Sequence, residues 1–178
     1  MAEIKRQIMS IKRIVSDLHL SHRNLAIHRG FKDELEQDEH IVKEWNKVVT
    51  NKKDITYILG DITMEKRTNY YLLDRLNGRK IIVLGNHDKG NHVPTLLEHV
   101  DKVCGCLKIQ HENLNIMLTH IPVHPMEFDY RLDYNIHGHI HDLEVLLPNG
   151  MKDKRYIKAC IESIDYKPKT IDELLNIK

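Results

Sequence analysis

The sequence predicts an α/β protein, with strands and helices alternating in the first half and a β-rich second half. Two observations carry this. Apolar runs at Ile14-Val15, Ile55–Leu59 and Ile81–Leu84 are separated by stretches with helical spacing. Beyond Val100 the helical spacing gives out, and short apolar runs follow one another with turns between them.

Taken in order, Ile11–Ser16 is a first strand running into Asp17 and His19, followed by a loop at Leu20–Asn24. Asp38–Val49 puts Ile41, Val42, Trp45 and Val48 on or near one face and predicts a helix, ended by Asn51 and Lys52-Lys53-Asp54. The strand Ile55–Leu59 runs into Gly60-Asp61. Glu65–Leu76 is predicted helical and stops at the turn signal Asn77-Gly78. The buried strand Ile81–Leu84 runs into Gly85-Asn86-His87-Asp88, and Thr95–Val100 is a short helix. Cys106–Gln110 and Leu114–Thr119 are predicted to pair through His111-Glu112-Asn113, the second leading into His120. Asn135–Ile140 is a strand bearing His139, with His141 just beyond; on a strand, residues two apart face the same way. Leu143–Leu147 and Tyr156–Ile164 suggest further strands around Pro148-Asn149-Gly150. Thr170–Leu175 is a terminal helix with Thr170 as N-cap and Glu173 at the capping-box position. No repeat or linker divides residues 1–178, so one domain is expected.

The totals narrow the function. Lys plus Arg is 27 and Asp plus Glu is 26, a net of +1, which asks for neither nucleic acid nor an anionic membrane. Three cysteines without a CxxC pair predict no disulfide framework and a cytoplasmic protein. Cys104, Cys106 and Cys160 are read as buried structural thiols. Residues 1–13 lack the apolar core of a signal sequence, and no run is long enough to span a membrane.

Five polar clusters stand at predicted strand ends: Asp17-x-His19, Gly60-Asp61, Gly85-Asn86-His87-Asp88, His120 and Gly138-His139-x-His141. Functional groups collect at the carboxyl ends of strands in open α/β folds. Mixed oxygen and nitrogen donors without cysteine suit Mn, Fe, Zn or Ni better than Ca. Seven ligands exceed one ion's needs, and a carboxylate can bridge two ions roughly 3.5–4 Å apart. In the central cluster, Asn86 reads as a metal ligand, His87 as the catalytic imidazole and Asp88 as the carboxylate that orients it.

This ordered series resembles the calcineurin-like metallophosphoesterase superfamily over residues 17–141, with all five motifs in family order. Arg29-Gly30-Phe31, Trp45-Asn46, Leu76-Asn77-Gly78-Arg79, His120–Pro125 and Tyr166-Lys167-Pro168 are similar to the small bacterial and phage members. The resemblance implies a four-layer αββα sandwich of two mixed sheets with a dinuclear centre at the strand ends. It implies that Asp17, His19, Asp61 and His141 hold one divalent ion, most readily Mn, and that Asp61, Asn86, His120 and His139 hold the other. A shared hydroxide would attack phosphorus, with His87 serving the leaving oxygen. The implied activity is hydrolysis of a small phosphodiester or phosphomonoester.

His22, Arg23 and Asn24 follow the first motif closely and are candidate substrate contacts. His124 and His137 flank ligands and could support them. A nuclease of the same superfamily is the alternative, disfavoured by the near-neutral charge because phosphate tracking needs Lys and Arg. A non-catalytic scaffold, as in the superfamily's retromer subunit, is disfavoured by the complete ligand set.

Overall fold

The computed structural model describes residues 10–64 and 66–177. Strands β1 (Lys12–Val15), β2 (Ile55–Leu59), β3 (Arg79–Val83) and β4 (Lys102–Cys104) lie parallel, and a two-residue strand, β9 (Lys169–Thr170), pairs antiparallel with β1. The sheet order is β4-β3-β2-β1-β9. A second sheet, order β5-β6-β7-β8, contains β5 (Leu107–His111), β6 (Leu114–Leu118), β7 (Tyr134–His137) and β8 (Tyr156–Lys158). The expected hairpin joins β5 to β6, and β6, β7 and β8 are parallel.

The apolar runs are near-continuous because the first sheet is covered on both faces. Side chains alternate. Val15, Ile58 and Ile82 pack outward against Ile41 and Trp45 of α2 (Glu34–Val48) and against Leu73 of a 3₁₀ helix (Arg67–Arg75). Ile14, Tyr57, Leu59 and Val83 point inward and meet Ile116, Leu118 and Ile136 of the second sheet. On the far side the fourth layer is thin. It includes a 3₁₀ turn, Pro125–Tyr130, with Phe128 5.1 Å from Tyr156. The αββα arrangement is therefore present, with its outer layers unequal.

Several elements differ from the sequence reading. The loop expected at Leu20–Asn24 winds into a short helix, α1 (Arg23–His28). Helix α2 starts before Asp38 because the Asp33 side chain caps Glu36 N at 2.9 Å, a start that apolar spacing does not mark. The stretch expected helical from Glu65 is 3₁₀ over Arg67–Arg75, and Glu65 lies outside the described residues, as do residues 1–9. The expected helix at Thr95–Val100 is the shorter α3 (Val93–Leu96). Leu143–Leu147 forms no strand; one bridge joins Leu146 to Lys152. The run from Tyr156 breaks after Lys158, where the chain leaves β8 to cross toward β1. Strands β4 and β9 were too short to show a pattern. At α4 (Ile171–Leu175) the capping box of Thr170 and Glu173 forms as expected. No helix among the described residues is long and apolar enough to cross a membrane.

Ile136 is fully buried between the sheets, two residues before Gly138. Ile136→Ala should lower unfolding free energy by about 2–5 kcal/mol, measured by urea denaturation. A loss below 1 kcal/mol would mean this interface collapses around the cavity.

Candidate metal centre

Each expected ligand stands just past the end of β1, β2, β3, β6 or β7. The sheets pinch together at this edge, where Ser16 N donates to Ala159 O at 2.8 Å and Ile161 N to Ser16 O at 3.0 Å. Two triads result, Asp17/His19/His141 and Asp61/His120/His139, with the ligand atoms of each within 4.8 Å of one another. Asp61 Oδ2 lies between them, 3.4 Å from His120 Nε2 and 3.7 Å from His19 Nε2. Asn86 Oδ1 approaches His120 Nε2 at 2.8 Å. All seven residues are thus brought together.

Backbone conformation aims them. Asp17, His19, Asp61, His139 and His141 have φ of 58°, 47°, 54°, 71° and 45°, in the left-handed region. Each such residue costs on the order of 1–3 kcal/mol and persists only where its surroundings over-determine it. Here Asp17 N bonds Gly60 O at 3.1 Å, His19 N bonds Asp61 O at 2.9 Å and Gly138 N bonds His120 O at 2.9 Å. The same feature corrects the strand-face reading of His139 and His141. Strand β7 ends at His137, and the two imidazoles go to different triads. Two glycines allow the close approach. A Cβ on Gly60 (φ 82°) would lie 2.5 Å from Gly85 Cα, and one on Gly138 would overlap Ser16 Oγ and Asp17 Oδ2.

The donor atoms fit metal ions. His120 Nδ1 contacts Leu59 O at 2.8 Å, and His141 Nδ1 contacts Glu162 Oε1 at 2.6 Å. Donation through Nδ1 leaves an Nε2 lone pair facing the carboxylates, the usual arrangement of a ligating imidazole. Both ring nitrogens of His19 are buried without a hydrogen-bond partner. Its Nε2 is 3.8 Å from Asp17 Oδ1, too long for a hydrogen bond but close enough to share an ion bound at about 2 Å. Burial alone would raise the Asp17 carboxyl, yet His19, Ser16 and the charges of His120 and His141 hold it well below the usual carboxylate range. Burial would lower the His120 imidazole, and Asp61 pushes it up instead.

Asp88, expected to orient His87, does something else. Its Oδ2 accepts from Asp61 N and Gly85 N, each at 2.8 Å, and its Oδ1 from Ile62 N at 3.2 Å. It braces the backbone that carries Asp61. His87 donates its backbone N–H to Asp61 Oδ1 at 3.0 Å, and its ring lies 6.0 Å from that of His19. His22 is also beside His19, ring to ring 5.7 Å. Arg23 turns instead toward Glu34 at 3.6 Å, and Asn24 is exposed on the first turn of α1. His124 and His137 are structural. The first accepts from Met126 N, and the second bonds Gly138 O and packs on Tyr156. Of the thiols, Cys160 is buried, Cys104 partly so and Cys106 exposed, which corrects the reading of all three as buried.

Sequence reasoning missed Glu162, which lies in no motif and meets His141 only through the fold. Arg29 was visible within Arg29-Gly30-Phe31 but without a role. Its guanidinium bonds Glu162 Oε2 at 2.6 Å and Asp17 O at 2.8 Å.

No protein-family model matches the chain. It is 30% identical over 180 residues to the uncharacterized protein MJ1445 of Methanocaldococcus jannaschii, covering 95% of this chain and 93% of that one. The chain belongs to the family of MJ1445. The crystal structure of AQ665 from Aquifex aeolicus, a protein of unknown function, is similar over 93% of this chain and 97% of that one, with TM-score 0.71 and 26% identity. An archaeal phosphodiesterase shares the fold at TM-score 0.50 and 18% identity, covering 83% of this chain and 81% of that one. The two-sheet sandwich of this chain is thus consistent with the calcineurin-like fold anticipated from the motif order.

Glu162→Gln should weaken metal retention about 10–100-fold, because His141, as a ligand, would lose its anionic partner. Competition with a chelating dye measures it; retention equal to the parent protein would deny Glu162 that role.

Proposed function

We propose that the chain is a metal-dependent phosphoesterase that hydrolyses an ester of a small phosphate compound. The observation that carries this is the Asp61 carboxylate standing between two triads of metal-competent side chains. Asp17, His19, Asp61 and His141 would hold one divalent ion, and Asp61, Asn86, His120 and His139 the other. Mn is the first choice, with Fe, Zn or Ni suited to the same donors. When bound, such a pair supplies an acidified water and neutralises phosphate charge.

The chain's own groups do the rest. Water oxygen bonds to phosphorus, the ester P–O bond breaks, and the leaving oxygen takes a proton. His87 belongs to neither triad yet adjoins both through Asp61 and His19, and it donates that proton. His22 adjoins His19 from the N-cap position of α1 and contacts the phosphate. The activity named for the archaeal phosphodiesterase supports the reading at the level of a shared fold.

Bis-p-nitrophenyl phosphate should be hydrolysed with Mn²⁺ and not after chelation. Absence of turnover with every divalent metal at full occupancy refutes the proposal. His87→Ala should lower kcat by about 10²–10⁴-fold while both ions remain by elemental analysis; loss of metal would make His87 a ligand. Asp61→Ala should lose metal and activity together, and a variant retaining both ions would refute the bridge.

A further inference from the structure

Two clefts flank the candidate centre, one beside each triad. The first, about 310 Å³, lies beside His141 and is walled by Leu25, Tyr166, Asp142 and the Arg29–Glu162 pair. The second, about 350 Å³, lies beside Asn86 and His120 and is lined by Leu84, Gly105, Thr119 and Ile121. Each is at the lower end of small-molecule pockets, enough for one ring or a short chain. A larger cleft, about 720 Å³ around Lys158 and Asp172, contains none of the candidate ligand residues.

We infer that the substrate is a phosphodiester with two uncharged arms, one seated in each cleft. This rests on the phosphoesterase reading. A monoester has a single organic arm and would leave one cleft unfilled; a diester has two, diverging from phosphorus.

The linings specify uncharged arms. Among the described residues Arg29 is the one guanidinium lining either cleft, and it is committed to Glu162 at 2.6 Å, Asp17 O at 2.8 Å, Gln37 Oε1 at 3.1 Å and Leu18 O at 3.2 Å. Beside it, the Asp142 carboxylate at the mouth repels a second phosphate. The other cleft offers Ile121, 53% exposed, and a Thr119 hydroxyl that donates to Ile121 O at 2.7 Å. Neither suits the next phosphate of a nucleic acid, which calls for Lys or Arg.

The first cleft also has a rigid wall. Asp165 and Tyr166 both have φ of 58°, a region that a bulky residue keeps only where its surroundings over-determine it. The Tyr166 ring is fixed edge-on by Phe31 at 5.4 Å and His40 at 5.0 Å. It therefore offers a preformed surface with little left to order on binding.

Calorimetry on the metal-loaded protein with dimethylphosphinate, methylphenylphosphinate and diphenylphosphinate tests this, since all three carry one charge and no scissile ester. The first phenyl should tighten binding about ten-fold and the second by a similar factor. No gain from the second phenyl overturns the two-arm assignment. An equal gain from a carboxyethyl arm overturns the requirement that the arms be uncharged. Gly105→Trp should remove one phenyl gain, since nothing lies within 4 Å of a Cβ there, and Leu25→Trp should remove the other. A Trp variant that keeps both gains, with metal content unchanged, denies that cleft its role. These readouts need no turnover. An intact binding ladder with no hydrolysis would refute the phosphoesterase reading and leave the two-arm assignment standing.

Discussion

The centre depends first on where Asp61 is held. That carboxylate can serve two triads only if its backbone is fixed past the end of β2, and Asp88 fixes it. One buried carboxylate gathers the N–H groups of Gly85, Asp61 and Ile62, so the end of β3 is tied to the end of β2. Burial pushes the Asp88 carboxyl up, and the backbone donors work against that shift. Gly60 and Gly85 let the two strand ends meet closely enough for the tie to form.

The cost of this arrangement is spread through the loops. Five ligand residues occupy left-handed backbone, and two carboxylates are almost fully buried beside imidazoles. The buried cores on both faces of the first sheet supply the rigidity that keeps such loops from relaxing. The electrostatics run the same way. Asp61 pushes the His120 imidazole up against the effect of burial, so the carboxylate favours positive charge at this position.

Much of this was legible in the sequence, for a local reason. A strand that ends in Asp, His or Gly-Asn-His carries its apolar run and its ligand within a few residues, so periodicity locates both. Periodicity put the polar clusters at strand ends, and the resemblance supplied the two-sheet sandwich and the choice of seven candidate ligands, which the fold brings together. What failed was non-local. Glu162 reaches His141 only because β8 crosses to β1 at Ser16, and nothing around residue 162 signals it. Asp88 looked like a partner for its neighbour His87, but its bonds go to backbone amides just past the ends of β2 and β3. The His139/His141 reading failed because spacing alone does not reveal where a strand stops and left-handed backbone begins.

The Arg29–Glu162 pair shows why the hidden contacts matter. A carboxylate partner makes His141 a stronger donor than the carbonyl partner makes His120. Yet a lone carboxylate near Asp17 would be an unpaired negative charge in a half-buried site, which is costly. Arg29 removes that difficulty with a side chain only 3% exposed. The same guanidinium holds the carbonyls of Asp17 and Leu18, and so the backbone on which Asp17 and His19 turn left-handed. Donor strength and loop geometry at the first triad therefore share one anchor. That anchor also forms part of the cleft beside His141, so a candidate ligand, the strained loop and one wall of the cleft are positioned by a single ion pair.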